Sequence, residues 1–493
     1  MRLMLLELVP HEPERVNRSQ AYPWLMGLAE KQGWKAWWRV LGLRYEPTLR
    51  YKLAPADLKA LLEEVRRHKP EILLVNEQIE NEQKALLCKT GMKLVYCTLE
   101  TEEDLSDLGR FVRKHIKKLA AGQDKLDALE PVFRRKRLNR APWLTPPFIR
   151  VLAGTYCAYL TKTADNPFYR ELASAPAQMS CSFCESGPGR RKGKAAAEDA
   201  VAFAARQVAA ACAERLEEDG ELRFEVSGWD LWRRLEDFVE LLVWKGVSSA
   251  ELLFMPRVDD LLAARAAIER CLPLLAGRKL AMRVYGMSVE NFSAAENLRL
   301  NKGITAAQVH EAAAFMLETN QAWPEQFRLS PGGLSMILFT PWTTLTDLRL
   351  NLDHIERCPL IDPAFALSRK LQLFPGRPVT LLAENDGLVI DDRDDHFYNA
   401  GCMTGADQDD LPWRFRHPEV GVLWRLSRRL SCDRRRVPEA DAESKAVAAF
   451  LERAGQAAAK PLAVFRMAVE AAAAHPETDS VCGLLERMEA VRP

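Results

Sequence analysis

The stretch KLAMRVYGMSVENFSAAENLRLNKGITAAQVHEAAAFMLETN, residues 279–320, decides the fold class. It opens on an apolar run, breaks at Gly286, crosses a polar loop and closes on an alanine-rich segment with helical spacing. An apolar strand followed by an amphipathic helix is one unit of a parallel sheet buried on both faces. The same alternation extends in both directions from residue 148 onward. FIRVLAGTYCAYL (148–160), ELRFEVSGW (221–229), AELLFMPRV (250–258), KLAMRVYGMSVE (279–290), SMILFTPW (335–342) and SRKLQLFP (368–375) read as six strands. Helical patterns fall between them at 196–216, 231–246, 261–277, 305–320 and 345–358. The chain is therefore expected to be α/β, with a partial (β/α)6 TIM-type barrel over 148–375 and its chemistry at the C-terminal strand ends. Within residues 301–305, Asn301-Lys302-Gly303 reads as a turn and Thr305 as the N-cap of the next helix.

Upstream, residues 1–125 read as a doubly wound, Rossmann-like domain. Its strands are expected at 1–10, 71–79 and the end of 84–100, with helices at 18–33 and 58–70. Residues 126–147 form a basic, proline-rich linker, in which FRRKRLNRAPWLTPP (133–147) ends on Pro142, Pro146 and Pro147. Its cations read as a solvated surface. Residues 376–493 read as a loop followed by alanine-rich amphipathic helices that close one side of the barrel. The loop holds DDRDDHFY (391–398) with His396, and Cys402 follows. Carboxylates beside a histidine are metal-like in composition, but a polar loop over the barrel is the plainer reading.

The 493 residues carry a formal net charge of +1 and are 48% hydrophobic. That balance argues against a dedicated nucleic-acid or membrane protein. No run of about 18 apolar residues is present, and the N-terminal apolar run reads as a strand rather than a leader. Many cysteines in a long chain of this kind imply a reducing, cytoplasmic setting.

Three of those cysteines lie in AGTYCAYLTKTADNPFYRELASAPAQMSCSFCESG (153–187). Cys181 and Cys184 form a Cys-x-x-Cys pair, and Cys157 lies far upstream on the first strand. The pair alone suits zinc, a redox dithiol or an iron–sulfur cluster. Three thiolates can hold three irons of a cubane and leave the fourth iron open.

The strand-four passage resembles the "G-x-E-S/N-F-S … L-x-x-x-N-K-G" passage of the radical S-adenosylmethionine (SAM) superfamily. Val226-Ser227-Gly228-Trp229 stands where that superfamily has Gly-Gly-Glu, so Trp229 replaces the glutamate, and Asp230 or Glu225 is left to substitute for it. Thr340-Pro341-Trp342-Thr343-Thr344 stands in place of the strand-five Gly-Phe-Pro-Gly-Glu-Thr. The first cysteine departs from the usual Cys-x3-Cys-x2-Cys loop. The resemblance implies a [4Fe–4S] cluster on Cys157, Cys181 and Cys184, with SAM on its open iron. It also implies that Gly228, Gly286, Ser288, Glu290 and Thr340 bind the cofactor. One electron, from a donor such as flavodoxin or ferredoxin, would yield a 5′-deoxyadenosyl radical acting on a small metabolite or peptide. The N-terminal domain resembles the cobalamin-binding domain of one subfamily, which implies a methyltransferase-like activity with cobalamin as a further cofactor. No lower-ligand histidine motif accompanies it; His11 reads as a loop residue, and Asn76, Glu77 or Gln78 would approach a corrinoid instead. The competing readings are a cofactor-free N-terminal domain with plain radical SAM hydrogen abstraction or RNA modification, and a non-catalytic zinc-binding barrel.

Overall fold

The computed structural model describes residues 1–10, 21–43, 52–76, 78–97, 108–116, 129–138, 148–151, 157, 159–184, 199–214, 221–226, 229–330, 332–390, 411, 413–431, 442–458 and 460–490. His11, Glu77, Ser227, Gly228, His396 and Cys402 lie outside them. The chain is a mixed α/β protein with parallel sheets.

The first sheet contains β1 (Arg2–Pro10), β2 (Lys35–Leu43), β3 (Ile72–Val75), β4 (Lys93–Tyr96) and β5 (Arg135–Arg137), in the spatial order β4-β3-β1-β2-β5 and all parallel. Strand periodicity divides β1 between two cores. Leu3 and Leu5 join the core that includes helix Tyr22–Lys31, whereas Met4, Leu6 and Leu8 join the one under helix Pro55–His68. Helices therefore cover both faces, which is why Leu3–Leu6 of β1 reads as a continuous apolar run. Helix Tyr22–Lys31 approaches the backbone so closely at Gly27 that an added Cβ would lie 1.8 Å from the Glu130 carbonyl oxygen.

Two strands of this sheet were not anticipated. The segment Lys35–Leu43 is β2, and the basic linker supplies β5 at the sheet edge. Their charges are matched across long sequence distances. Glu64 accepts from Arg39 Nε at 2.6 Å, Arg67 Nη1 at 2.9 Å and Lys136 Nζ at 3.0 Å. Burial alone would raise the Glu64 carboxyl, but the bonds from Lys136 and Arg39 outweigh it and hold it at about 2.

The second sheet contains β6 (Phe148–Val151), β9 (Arg223–Val226), β10 (Ser249–Phe254), β11 (Lys279–Val284) and β13 (Phe327–Leu329). Between β6 and β9 lies a small antiparallel pair, β7 (Thr161–Lys162) with β8 (Gln178–Met179). The second sheet is parallel, and spatial order follows chain order. Past Gly286 the fourth strand resumes as β12 (Met287–Glu290), which pairs in parallel with β14 (Leu334–Met336). A parallel bridge between Phe339 and Lys370 adds the sixth segment. The expected sixth strand is thus a single bridge, and the fifth is two short pieces.

One face of this sheet, with Phe224, Leu252, Phe254, Leu280, Met282 and Val284, shares a core with helices Ala200–Ala213, Leu235–Trp244, Arg265–Leu275 and Ala306–Ala322. The opposite face is charged. Glu251 is 1% exposed and pairs with Arg223, Arg283 and Arg328. Stacking of Trp24 on Phe203 at 5.3 Å ties the two sheets into one core.

The C-terminal helices Pro418–Leu430, Ala442–Ala458, Pro461–Ala474 and Val481–Ala490 form a second core. It is built on Phe339, which meets Trp424 edge-on at 5.1 Å and Phe465 at 6.0 Å. These helices close over the fifth and sixth segments, as the amphipathic pattern implies. Among the described residues no helix is long and apolar enough to cross a membrane.

Candidate metal centre

The candidate residues lie at or past the C-terminal ends of parallel strands, where open α/β sheets bind ligands. Cys157 follows β6, Arg257 follows β10, and Glu290 ends β12. The segment 159–184, which carries Cys181 and Cys184, is then fastened to residues 298–302 of the strand-four passage. Asn301 Nδ2 donates to Ser180 O at 2.7 Å and to Thr161 Oγ1 at 2.8 Å. Ser182 N donates to Leu300 O at 2.9 Å, and Ser182 Oγ to Arg299 O at 3.0 Å. Tyr169 Oη donates to Arg299 O at 2.6 Å, and Asn166 Nδ2 to Leu298 O at 2.7 Å. At about 1 kcal/mol per bond this is a substantial hold on a long loop.

The clamp depends on unusual backbone. Asn301 has φ +49° and Gly303 φ +67°, both left-handed. A Cβ on Gly303 would come within 2.3 Å of Tyr159 Oη, so glycine is required there on two counts. Glu290 has φ +65°, a conformation that costs a non-glycine residue on the order of 1–3 kcal/mol. It is held by Ile337 N, which donates to Glu290 O at 2.6 Å, and by an ion pair with Lys302 Nζ at 3.0 Å. Both side chains of that pair are buried.

Cys157 and Cys181 are buried and Cys184 is half-buried. Burial pushes the Cys157 thiol up, while the Arg257 charge pulls it down and a Cys184 thiolate pushes it up. Burial also raises Cys181, opposed by Lys302 and Arg257 and reinforced by Glu290 and Cys184. The Cys184 charge thus reaches both Cys157 and Cys181, the buried Arg257 cation reaches both as well, and Lys302 lies beside Cys181. Burial alone would lower the Lys302 ammonium, but Glu290 and then Cys181 outweigh it, and the net direction is up. Among the described residues no three His, Cys, Asp or Glu side chains converge as ligands of one metal ion do. A cubane does not ask for that convergence, because each thiolate binds its own iron. Three soft donors on two neighbouring segments, with cations beside them, fit such a cluster.

The other expected cofactor residues divide. Ser288 is half-buried, 3.4 Å from Ser335 through the hydroxyls. Gly286 borders the side chain of Met255, 3.3 Å from where a Cβ would stand, and Met255 is exposed at the same strand end. Glu290 lines the thiol site, but one carboxylate oxygen is taken by Lys302. Thr340 is fully buried. Its hydroxyl donates to Glu296 Oε2 at 2.7 Å and its amide to Thr343 Oγ1 at 2.8 Å, so it offers no surface to a ligand. Thr344 and Thr305 cap their helices through reciprocal capping boxes. Trp342 packs in the core, with its indole nitrogen donating to Asp386 at 2.7 Å.

Sequence reasoning missed Arg257, Tyr159 and Asn166, and read Lys302 only as part of a turn. An arginine directly after the apolar strand AELLFMP was the available signal for Arg257. In the first sheet, Asn76 does not reach toward a ligand. Its amide accepts from Leu8 N at 2.7 Å and donates to Leu8 O at 3.0 Å, joining the ends of β1 and β3. Gln78, two residues on, is exposed. A scan against protein-family models finds no match, and a comparison with curated proteins finds none either.

Proposed function

We propose that the chain is a radical SAM enzyme built on a partial (β/α)6 barrel behind a Rossmann-like domain. It would bind a [4Fe–4S] cluster through Cys157, Cys181 and Cys184, with SAM on the open iron, and act on a small metabolite or peptide. The observation that carries the reading is the clamp that joins the cysteine segment to the strand-four passage. Two stretches singled out separately in the sequence form one buried site with the thiols inside it.

A cluster held by Cys157, Cys181 and Cys184 would supply the single electron needed for reductive cleavage of SAM to methionine and a 5′-deoxyadenosyl radical, which would abstract hydrogen from substrate. The remaining work belongs to the chain. Arg257 places positive charge near Cys157 and Cys181, and Lys302 near Cys181, which lowers the electrostatic cost of thiolates in a buried site. Gly286 and Ser288 leave the strand-four end open for a polar ligand, and Met255 presents apolar surface next to it. The helices on one face and the C-terminal core behind the fifth and sixth segments restrict water to that open end.

The test is anaerobic incubation of reconstituted, dithionite-reduced protein with SAM. Chromatography is expected to show 5′-deoxyadenosine accumulating even without substrate. Protein with a full complement of iron that forms none contradicts the reading.

A further inference from the structure

Arg257 is a buried cation that donates directly to one of the candidate thiols. It is 3% exposed at the C-terminal end of β10. Nη1 donates to Cys181 Sγ at 3.4 Å. Nη2 donates to Lys302 O at 2.7 Å, tying the guanidinium to the turn that clamps the cysteine segment. Nε and Nη2 bond Asp259 at 2.9 and 3.2 Å, and Asp259 is partly exposed. The guanidinium carbon lies 3.8 Å from the centre of the Tyr159 ring, two residues beyond Cys157. One planar group thus contacts a sulfur, the strand-four turn and the segment of the first cysteine. A guanidinium is always charged, and its fork fixes donors in direction. Asp259, its ion-pair partner, is partly exposed, where screening weakens it.

We propose that Arg257 is a positioning residue that sets the reduction potential of the metal group on Cys181, by fixing a charged N–H on that sulfur. The proposal rests on the cluster reading above and goes beyond it. Reduction adds one electron to [4Fe–4S]2+ to give [4Fe–4S]+, with no proton and no bond made or broken. A buried cation on the ligand sulfur stabilises the more negative, reduced form, and hydrogen bonds to cluster sulfurs act in the same direction. Asp259 opposes this by neutralising part of the charge. Removing the cation and removing its counter-ion must therefore move the potential in opposite directions, which loss of packing alone would not do.

The experiment is an EPR-monitored redox titration of the full chain, reconstituted with iron and sulfide, as wild type, Arg257→Met, Arg257→Lys and Asp259→Asn. At the wild-type midpoint, Arg257→Met is expected to show a roughly tenfold lower reduced-to-oxidised ratio, equivalent to about 59 mV for one electron. Arg257→Lys keeps the charge without the fork and should fall between the two. Asp259→Asn should shift the ratio toward the reduced form. Midpoints of Arg257→Met and Asp259→Asn that coincide with wild type, or move together, overturn the proposal. If Arg257→Met assembles no cluster, an unmoved Asp259→Asn midpoint overturns it alone. A wild-type chain that assembles no cubane overturns the cluster reading, and this proposal with it, so the two failures are told apart by the wild-type sample.

Discussion

Replacing Cys157, Cys181 and Cys184 together by alanine is expected to abolish iron binding. Anaerobic reconstitution of the wild type should give about four irons and as many sulfides per chain, and the triple variant should fall to background. Single replacements should each lose most of the iron, because two thiolates leave two irons of a cubane without protein ligands. Cys181→Ala should be the most damaging, since Cys181 accepts from Arg257 and lies within the electrostatic reach of the Lys302–Glu290 pair. Burial raises the Cys157 and Cys181 thiols, so the metal-free chain carries them protonated at neutral pH. Assembly must then release protons, and loading is expected to increase as pH rises. A triple variant that keeps its iron would show that the ligands lie elsewhere.

Lys302→Met is expected to be the most destabilising single change at the site. Lys302 and Glu290 are both buried and pair at 3.0 Å. Removing the ammonium leaves a carboxylate out of water, in a backbone conformation that already carries strain. Breaking such a pair costs about 3–5 kcal/mol. In a domain of this size that corresponds to roughly 6–20 °C in thermal midpoint. Adding Glu290→Gln to Lys302→Met removes the orphaned charge and keeps the shape, so the double variant should regain part of the loss. Differential scanning calorimetry on the full chain reads both. A Lys302→Met midpoint within a degree of wild type would mean that the pair does not hold the strand-four end.

What could be read in advance follows the range of the interactions. Strands β10 and β11 and helices Ala306–Ala322 and Leu345–Arg357 are written in local patterns, apolar runs and reciprocal caps such as Thr305 with Gln308. They were legible for that reason. Strand β2 was not, because Arg39 sits in it as a buried charge whose partner, Glu64, is 25 residues away. The basic linker gave up β5 for the same reason, since Lys136 is matched by Glu64 across 72 residues. Strand β13 is only three residues long, with Arg328 committed to Glu251 on the charged face. At the site, the Cys-x-x-Cys pair and the Glu290–Lys302 passage were visible as motifs. Their union was not, because Asn301 reaches Ser180 across 121 residues through a left-handed turn that no periodicity encodes. The internal hydrogen bond of Thr340 was not legible because a threonine at a strand end suits equally a cofactor contact and an internal bond. Its neighbour Glu296, buried and held above the ordinary carboxylate range chiefly by that burial, decided for the internal bond.

The central claim is a cluster on three cysteines with an iron open to SAM, and EPR of the dithionite-reduced chain with and without SAM tests it most directly. The account predicts the spin-half signal of [4Fe–4S]+ in the wild type, a change in its g-values when SAM is added, and no such signal in the triple cysteine variant. A wild-type signal that SAM leaves unaltered, or one that survives the loss of all three thiols, would contradict it.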